Sequence, residues 1–555
     1  MAQSLARMRR DTAARDIGAT TVTRWVSASL IGAFCLTMLT AGVVQHVAEL
    51  GSGAEDRTRA WPQPYDVFHL FPSRDEVAAV RSPLDVLRLA PSLQQITEFE
   101  DALEDASALD GAILPRAQYV LSRYLGLGNE QAYLGRDGEL YYRPDVDYAI
   151  GRGFLDAAHL ASRTAGGPSW EDVPSADPLP AIRSLQAALA ARGISLVVAP
   201  VPVKPVVQPQ GLALADGSSA VAHNPSYEGF MAALAADGIR VFDATPLLTA
   251  TDDPYLRTDT HWTPRAMART AQALAAFIHD EVGLAARDSA GYGRGSEELT
   301  STGDVAAMLK LPAGSDLIVP ERVEIRPVTT STGAAWTADR AARVLLLGDS
   351  FTNIYSLGAM GWGEGAGFAE QLSYALHEPV DRIALNAGGA YAARQELSQA
   401  LARGDDRLAG KEVVVYQFAV RELHSGDWRV YDMPSPPAPA ARAGHGQAVV
   451  RGELVAMSTP PRPGTVPYPD CVIAFHMTDI EAENGGPVPG EAVVFAWGMR
   501  DNEWTPATSA TVGAQLRLRL TPWAAAEEQY GGYSRRELDD EDTWLLDVYW
   551  GELIP

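Results

Sequence analysis

The run Val344-Leu345-Leu346-Leu347-Gly348 limits the fold more than any other stretch. Four bulky apolar residues in succession leave no polar alternate, so a strand made of them is covered on both faces. That burial belongs to a parallel sheet with helices packed on each side. Segments 195–201, 239–242, 382–386 and 412–418 are further strand candidates. Segments 180–192, 226–237, 264–282, 366–376 and 391–403 read as the helices between them, with Pro264 suited to a first turn. An α/β domain with a parallel, helix-covered sheet is expected within 75–430. Asp137-Gly138, followed by Leu140-Tyr141-Tyr142, predicts a hairpin turn and strand before it.

The chain has 555 residues, enough for two or three domains. Positions 431–446 are rich in Pro, Ala and Gly and read as a linker. Beyond them the pattern changes. Segments 449–457, 471–478, 493–497, 515–520 and 543–550 are strand-like, with no convincing helix between most of them. They predict a small all-β module, barrel or sandwich, over 447–555. Tyr468, Trp497, Trp504, Trp523, Trp544 and Trp550 either fill its core or stack on sugar rings. The acidic run 537–542 reads as a solvated loop.

Residues 25–44 contain neither charge nor proline, and a helix of about 20 such residues crosses a bilayer. Arg7, Arg9, Arg10, Arg15 and Arg24 precede them, which favours an inside amino terminus. The expected order is a basic cytoplasmic segment 1–24, a signal anchor 25–45 and a juxtamembrane linker 46–74. The bulk of the chain then lies outside the cytoplasm, as it also would after a cleaved signal peptide. Lys plus Arg number 45 against 70 Asp plus Glu, a net charge of −25 that argues against nucleic acid as a partner. The two cysteines, Cys35 and Cys471, lie in different segments and do not suggest a structural disulfide.

Gly348-Asp349-Ser350 puts a hydroxyl at the carboxyl end of a buried strand, where α/β sheets carry reactive groups. A serine is a weak nucleophile until a base takes its proton, and a carboxylate orients that base. Asp259 and His261 suit those two tasks. On an extended segment, residues i and i+2 share a face with Cα atoms roughly 6.5 Å apart. Each motif alone has a plainer reading. Gly-Asp-Ser is a common turn, and Asp-Thr-His is a helix cap or two metal ligands, with Asp252 and Asp253 nearby. No His-rich or Cys-rich tract supports a metal, and no cofactor is expected.

Asp259-Thr260-His261-Trp262-Thr263, followed 89 residues after the histidine by Ser350 in Leu346-Leu347-Gly348-Asp349-Ser350-Phe351-Thr352, resembles a bacterial family. It is that of the SGNH-hydrolase-like exopolysaccharide O-acetyltransferases, the alginate O-acetyltransferases of the AlgX and AlgJ type. Val198 to Lys204 resembles the family's strand ending in Pro-x-Lys. Gly135 to Arg143 resembles its Gly-x-Asp-Gly-x-Leu-Tyr-Tyr patch. Val413 to Arg421, with Trp428, resembles its last strand, although Arg421-Glu422 stands where the family has Glu-Arg.

The resemblance spans roughly 75–430 and implies an SGNH-like sheet. It implies Ser350 as nucleophile, His261 as base and Asp259 as its orienter. The Ser350 N–H, Asn386 and Gly388 or Gly389 are oxyanion candidates. Arg394, Tyr355 and Lys204 are substrate-side candidates, and Trp262 is a packing residue. The implied partners are a polysaccharide acceptor and a multi-spanning membrane O-acyltransferase that delivers acetyl groups. The same three residues would equally serve an acetylesterase. A noncatalytic glycan-binding or assembly protein is the reading from another class.

Overall fold

The computed structural model describes residues 23–51, 91, 96, 99–100, 107–165, 173–212, 223–287, 291–435, 447–464, 466, 468–538 and 540–554. The chain separates into two units, 1–114 and 115–555. In the first, helix α1 spans Arg24–Gly51 and contains the expected anchor. Among the described residues no helix is long and apolar enough to cross a membrane, so the anchor stays outside the fold as a proposal. Most of the basic segment 1–24, the linker 46–74 and the Pro/Ala-rich positions 436–446 lie outside the described residues.

In the second unit, β1 (Ala132–Leu134) and β2 (Leu140–Tyr142) form an antiparallel hairpin. Its turn places Asp137 at φ 54° and Gly138 at φ 81°. Aspartate and glycine are among the few residues that tolerate this left-handed region.

The main sheet consists of β3 (Ser195–Val201), β4 (Arg240–Val241), β5 (Val344–Gly348), β6 (Val380–Ala384) and β7 (Val413–Ala419). Its order is β6-β5-β7-β3-β4, parallel throughout. Val344 to Leu347 are fully buried, as the unbroken apolar run requires. Each such side chain contributes about 2 kcal/mol of burial. Helices α2 (Pro178–Ala190), α3 (Tyr227–Ala236), α4 (Pro264–Phe277), α5 (Ser350–Asn353), α6 (Phe368–Leu376) and α7 (Ala392–Ala402) accompany it. Asp177 caps α2, and Thr263 with Pro264 opens α4.

Two expected elements move. The strand read at 382–386 lies at β6, two residues earlier. Asp381 falls inside it, fully buried, with Arg407 Nη2 at 2.6 Å and Lys411 Nζ at 3.1 Å. A carboxylate in mid-strand reads as a break until its distant cations are known. The helix read at 264–282 is α-helical only to Phe277. It then widens into a π-turn, Ile278–Val282, and stops at Gly283 with φ 81°.

The carboxyl-terminal module is a closed barrel of β8 (Ala448–Met457), β9 (Cys471–Ala482), β10 (Glu491–Arg500), β11 (Gln515–Pro522) and β12 (Asp547–Leu553). β8 pairs with β9 and β9 with β10; β10 runs parallel to β12, which returns through β11 to β8. Numbered within the module, the order is 1-2-3-5-4 and back to 1, the arrangement of an OB-type barrel. Val450, Leu454, Ile473, Phe475, Val494 and Leu518 fill the interior. The module is not purely β: helix α8 (Trp523–Tyr530) lies between the fourth and fifth strands, its Trp523 packed on Phe495. Trp523 and Trp550 are buried, whereas Trp504 is half exposed. Buried ion pairs tie the barrel to the α/β sheet, Arg407 to Glu527 at 2.8 Å and Arg535 to Glu396.

Candidate active site

Ser350 opens α5 directly after β5, and its position follows from tight packing around Asp349. A Cβ at Gly348 would lie 2.3 Å from Thr352 Oγ1 and 3.0 Å from Gln417 Oε1, so only glycine fits there. Gln417, from the adjacent strand β7, holds the turn. Its Nε2 donates to Asp349 Oδ1 at 2.8 Å, and its Oε1 accepts from Asp349 N–H at 3.2 Å and Thr352 Oγ1 at 2.7 Å. Asp349 Oδ2 accepts the Ala419 N–H at 2.9 Å. The aspartate of Gly-Asp-Ser is therefore a brace between two strands.

Asp259 and His261 lie in the loop before α4, which an isolated bridge from Tyr255 to Trp262 closes. They share a face through a local turn rather than through extended backbone. His261 N–H donates to Asp259 Oδ1 at 3.0 Å, and His261 Nδ1 approaches the same oxygen at 2.6 Å. A short polar side chain bonding its own backbone two residues on is a common turn device. His261 Nε2 then lies 2.8 Å from Ser350 Oγ. The structure thus brings Asp259, His261 and Ser350 into one line of hydrogen bonds.

Two residues not picked out from the sequence complete this arrangement. Trp362 Nε1 donates to Asp259 Oδ2 at 2.8 Å, and the Asp304 N–H donates to the same oxygen at 3.1 Å. Asp259 thus accepts four N–H groups. Trp362 lies in Gly361-Trp362-Gly363, whose glycines have φ 78° and 82°. A tryptophan held between obligate glycines is the sequence signal that could have marked it. Gly303 allows the second contact, since a Cβ there would meet Asp259 Cβ at 2.4 Å.

The electrostatics follow from burial and pairing. Burial pushes the Asp259 carboxyl up, but His261 and the Trp362 donor more than offset it and bring it to about 2. Burial pulls His261 down, and Asp259 outweighs that, leaving the imidazole raised above 6.5. Asp304, 3.8 Å from His261 Nδ1, is pushed to about 7 by burial and by the Asp259 charge. Ligand atoms of Asp259, His261 and Asp304 fall within 4.8 Å of one another, a geometry that also suits a cation. The N–H donors directed at both oxygens of Asp259 favour the hydrogen-bonded arrangement over metal ligation.

A cavity of about 300 Å³ opens over Ser350. Asn386 lines it, its Oδ1 accepting from Asn353 Nδ2 at 3.0 Å. Gly388 lines a neighbouring groove that shares Asn386 and Ala387 with this cavity. Three substrate-side expectations are corrected. Tyr355 is fully buried and donates to Trp262 O at 2.7 Å. Arg394 is buried against Tyr416 and donates to Arg429 O at 2.8 Å. Lys204 is buried, with Nζ donating to Leu140 O, Leu256 O and Arg257 O at 2.8–2.9 Å and pairing with Glu139. It fastens the β1–β2 hairpin to the loop that carries Asp259, so two motifs far apart in sequence meet through one ammonium. Tyr142 and Arg421, from the hairpin patch and the end of β7, do line the cavity.

Residues 164–420 match the family model described as an SGNH hydrolase-like domain, acetyltransferase AlgX. The "Probable alginate O-acetylase AlgJ" of Pseudomonas aeruginosa is 31% identical over 157 residues, covering 28% of this chain and 40% of that protein. Its namesake in Pseudomonas fluorescens is 30% identical over 210 residues, covering 36% and 53%. The chain therefore spans about half the length, or less, of these relatives. Among solved structures, the O-acetyltransferase domain of Pseudomonas putida AlgJ aligns at 22% identity and TM-score 0.40, covering 53% of this chain and 92% of that one. Pseudomonas aeruginosa AlgX aligns at 17% and 0.39, covering 68% and 78%. Over residues 164–420 the chain is therefore similar to the SGNH hydrolase-like acetyltransferases of the AlgX and AlgJ type.

Proposed function

We propose that this chain transfers acetyl groups to hydroxyls of an extracytoplasmic polysaccharide through an acetyl-serine intermediate. The supporting observation is the line of hydrogen bonds, 2.6 Å from Asp259 to His261 and 2.8 Å from His261 to Ser350. Ser350 Oγ attacks the donor's acetyl carbonyl while its proton passes to His261 Nε2. The Ser350 N–H and Asn386 Nδ2, whose partner oxygen Asn353 holds, face the oxyanion that forms. The leaving group takes the proton from His261, and acetyl-Ser350 remains. A sugar hydroxyl then attacks it, giving its proton to His261, and Ser350 Oγ departs and recovers that proton. Asp259 keeps the imidazole oriented and stabilises its charged form.

The donor partner in this reading is a multi-spanning membrane O-acyltransferase, and the anchor at 25–45 holds the chain beside it. The full-length chain with a chromogenic acetyl ester and an oligosaccharide tests the proposal. The expected result is an acetyl adduct on Ser350 and acetylated sugar, with Ser350→Ala abolishing the adduct and lowering sugar acetylation by about three orders of magnitude. Ester cleavage with no acetylated sugar for any acceptor would point to an esterase instead.

A further inference from the structure

The barrel forms one side of the cavity over Ser350. Tyr468, Pro469 and Asp470 come from the connection between β8 and β9, and Tyr533 and Ser534 from that between α8 and β12. The second connection is tied to the α/β domain, Gly532 O accepting from Asn386 N–H at 3.4 Å and Asn353 Nδ2 at 3.5 Å. Any acceptor that reaches an acetyl group on Ser350 therefore passes between the sheet edge and these two barrel loops.

The cationic groups at this cavity already have carboxylate partners. Asp259, Asp304 and Asp470 line it, Asp259 already bonded to His261 and Asp470 paired with Arg500 at 3.3 Å, against one lining guanidinium, that of Arg421. Arg421 is committed: Asp145 Oδ1 lies at 3.1 Å and Glu422 Oε1 at 3.8 Å, and the group sits over the Tyr142 and Phe351 rings. Among the described lining residues, then, no lysine or arginine is left to meet an incoming carboxylate. A polyuronate places a carboxylate on every ring, within a few ångström of the hydroxyls to be acetylated. Moving it into this cavity removes its water without supplying a partner, which disfavours its binding. A neutral ring meets no such cost and finds Tyr468 and Tyr533 in the lining, a residue type suited to the apolar side of a pyranose.

We propose that the two barrel loops form the acceptor wall, and that the acceptor is an uncharged polyhydroxylated chain rather than a polyuronate. The inference rests on the transferase reading above. Its test uses matched acceptors: oligomers of mannuronate, galacturonate and glucuronate, and the same oligomers with their carboxyls reduced to hydroxymethyl groups. Full-length protein and a chromogenic acetyl ester are common to all. In each productive pair the reduced oligomer is expected to have at least tenfold the kcat/KM of the uronate. Ala359→Lys, which adds a cation to the lining, is expected to narrow that ratio. Tyr468→Ala and Tyr533→Ala should raise KM for the reduced oligomer at least fivefold relative to ester cleavage by the same variant. A uronate that is preferred, or equally used, overturns the charge assignment. An unchanged relative KM in both tyrosine variants overturns the acceptor wall. Ester cleavage with no acetylation of any oligomer overturns the transferase reading itself.

Discussion

Replacing Trp362 by phenylalanine removes one N–H from Asp259 Oδ2 and keeps most of the ring in place. The indole is fully buried and its bond is 2.8 Å long, one of four N–H contacts that hold the carboxylate. A hydrogen bond to a charged group is worth about 1.5–3 kcal/mol. Three donors remain to orient the carboxylate, so about half of that should appear as lost transition-state stabilisation. At about 1.4 kcal/mol per tenfold, kcat/KM for ester cleavage should fall roughly 3- to 12-fold with KM little changed. The decisive assay is the double variant. If the indole acts through Asp259, then adding Trp362→Phe to Asp259→Asn should cost less than about twofold further. The same full factor in both backgrounds would refute the reasoning, because the tryptophan would then act through packing alone.

Three further outcomes follow from burial and charge. In the proposed mechanism the neutral form of His261 is the base, and its pKa is raised, so ester cleavage should climb with pH through a midpoint above 6.5; Asp304→Asn should move that midpoint down, since the Asp304 charge helps to raise it. In folding terms the raised His261 stabilises fully below 6.5 and loses that contribution as pH rises through its folded value, while Asp259 stabilises above its unfolded value of 3.8 and loses it as pH falls towards about 2. Lys204→Met leaves Glu139 and three carbonyls without their cation, a loss of about 3–5 kcal/mol; faster hydrogen exchange across 256–261 and a lower thermal midpoint should report it, and unchanged exchange there would remove Lys204 from the support of the Asp259 loop.

Much of the site was legible because its chemistry is carried by short motifs. Asp259-Thr260-His261 and Gly348-Asp349-Ser350 each announce themselves by residue type, and the strand before Ser350 by its unbroken apolar run. Trp362, Asp304, Gln417 and Asn353 were not legible. Each acts on a partner that tertiary folding supplies, Trp362 from 103 residues away and Gln417 from 68. Arg394, Tyr355 and Lys204 failed in the opposite sense. Their residue types suit a sugar site, yet each has buried partners that draw it into the protein interior.

By itself the sequence determined the alternation of strands and helices, the change to a β module, and which groups are proposed as nucleophile and base. These properties are local, set by periodicity and side-chain type. Tertiary structure alone decided that His261 reaches Ser350, that the β module closes into a barrel, and that two of its loops stand over the serine. Those outcomes depend on contacts between segments far apart in the chain, and the buried pairings that select them, such as Asp381 with Arg407 and Lys411, have no local signature.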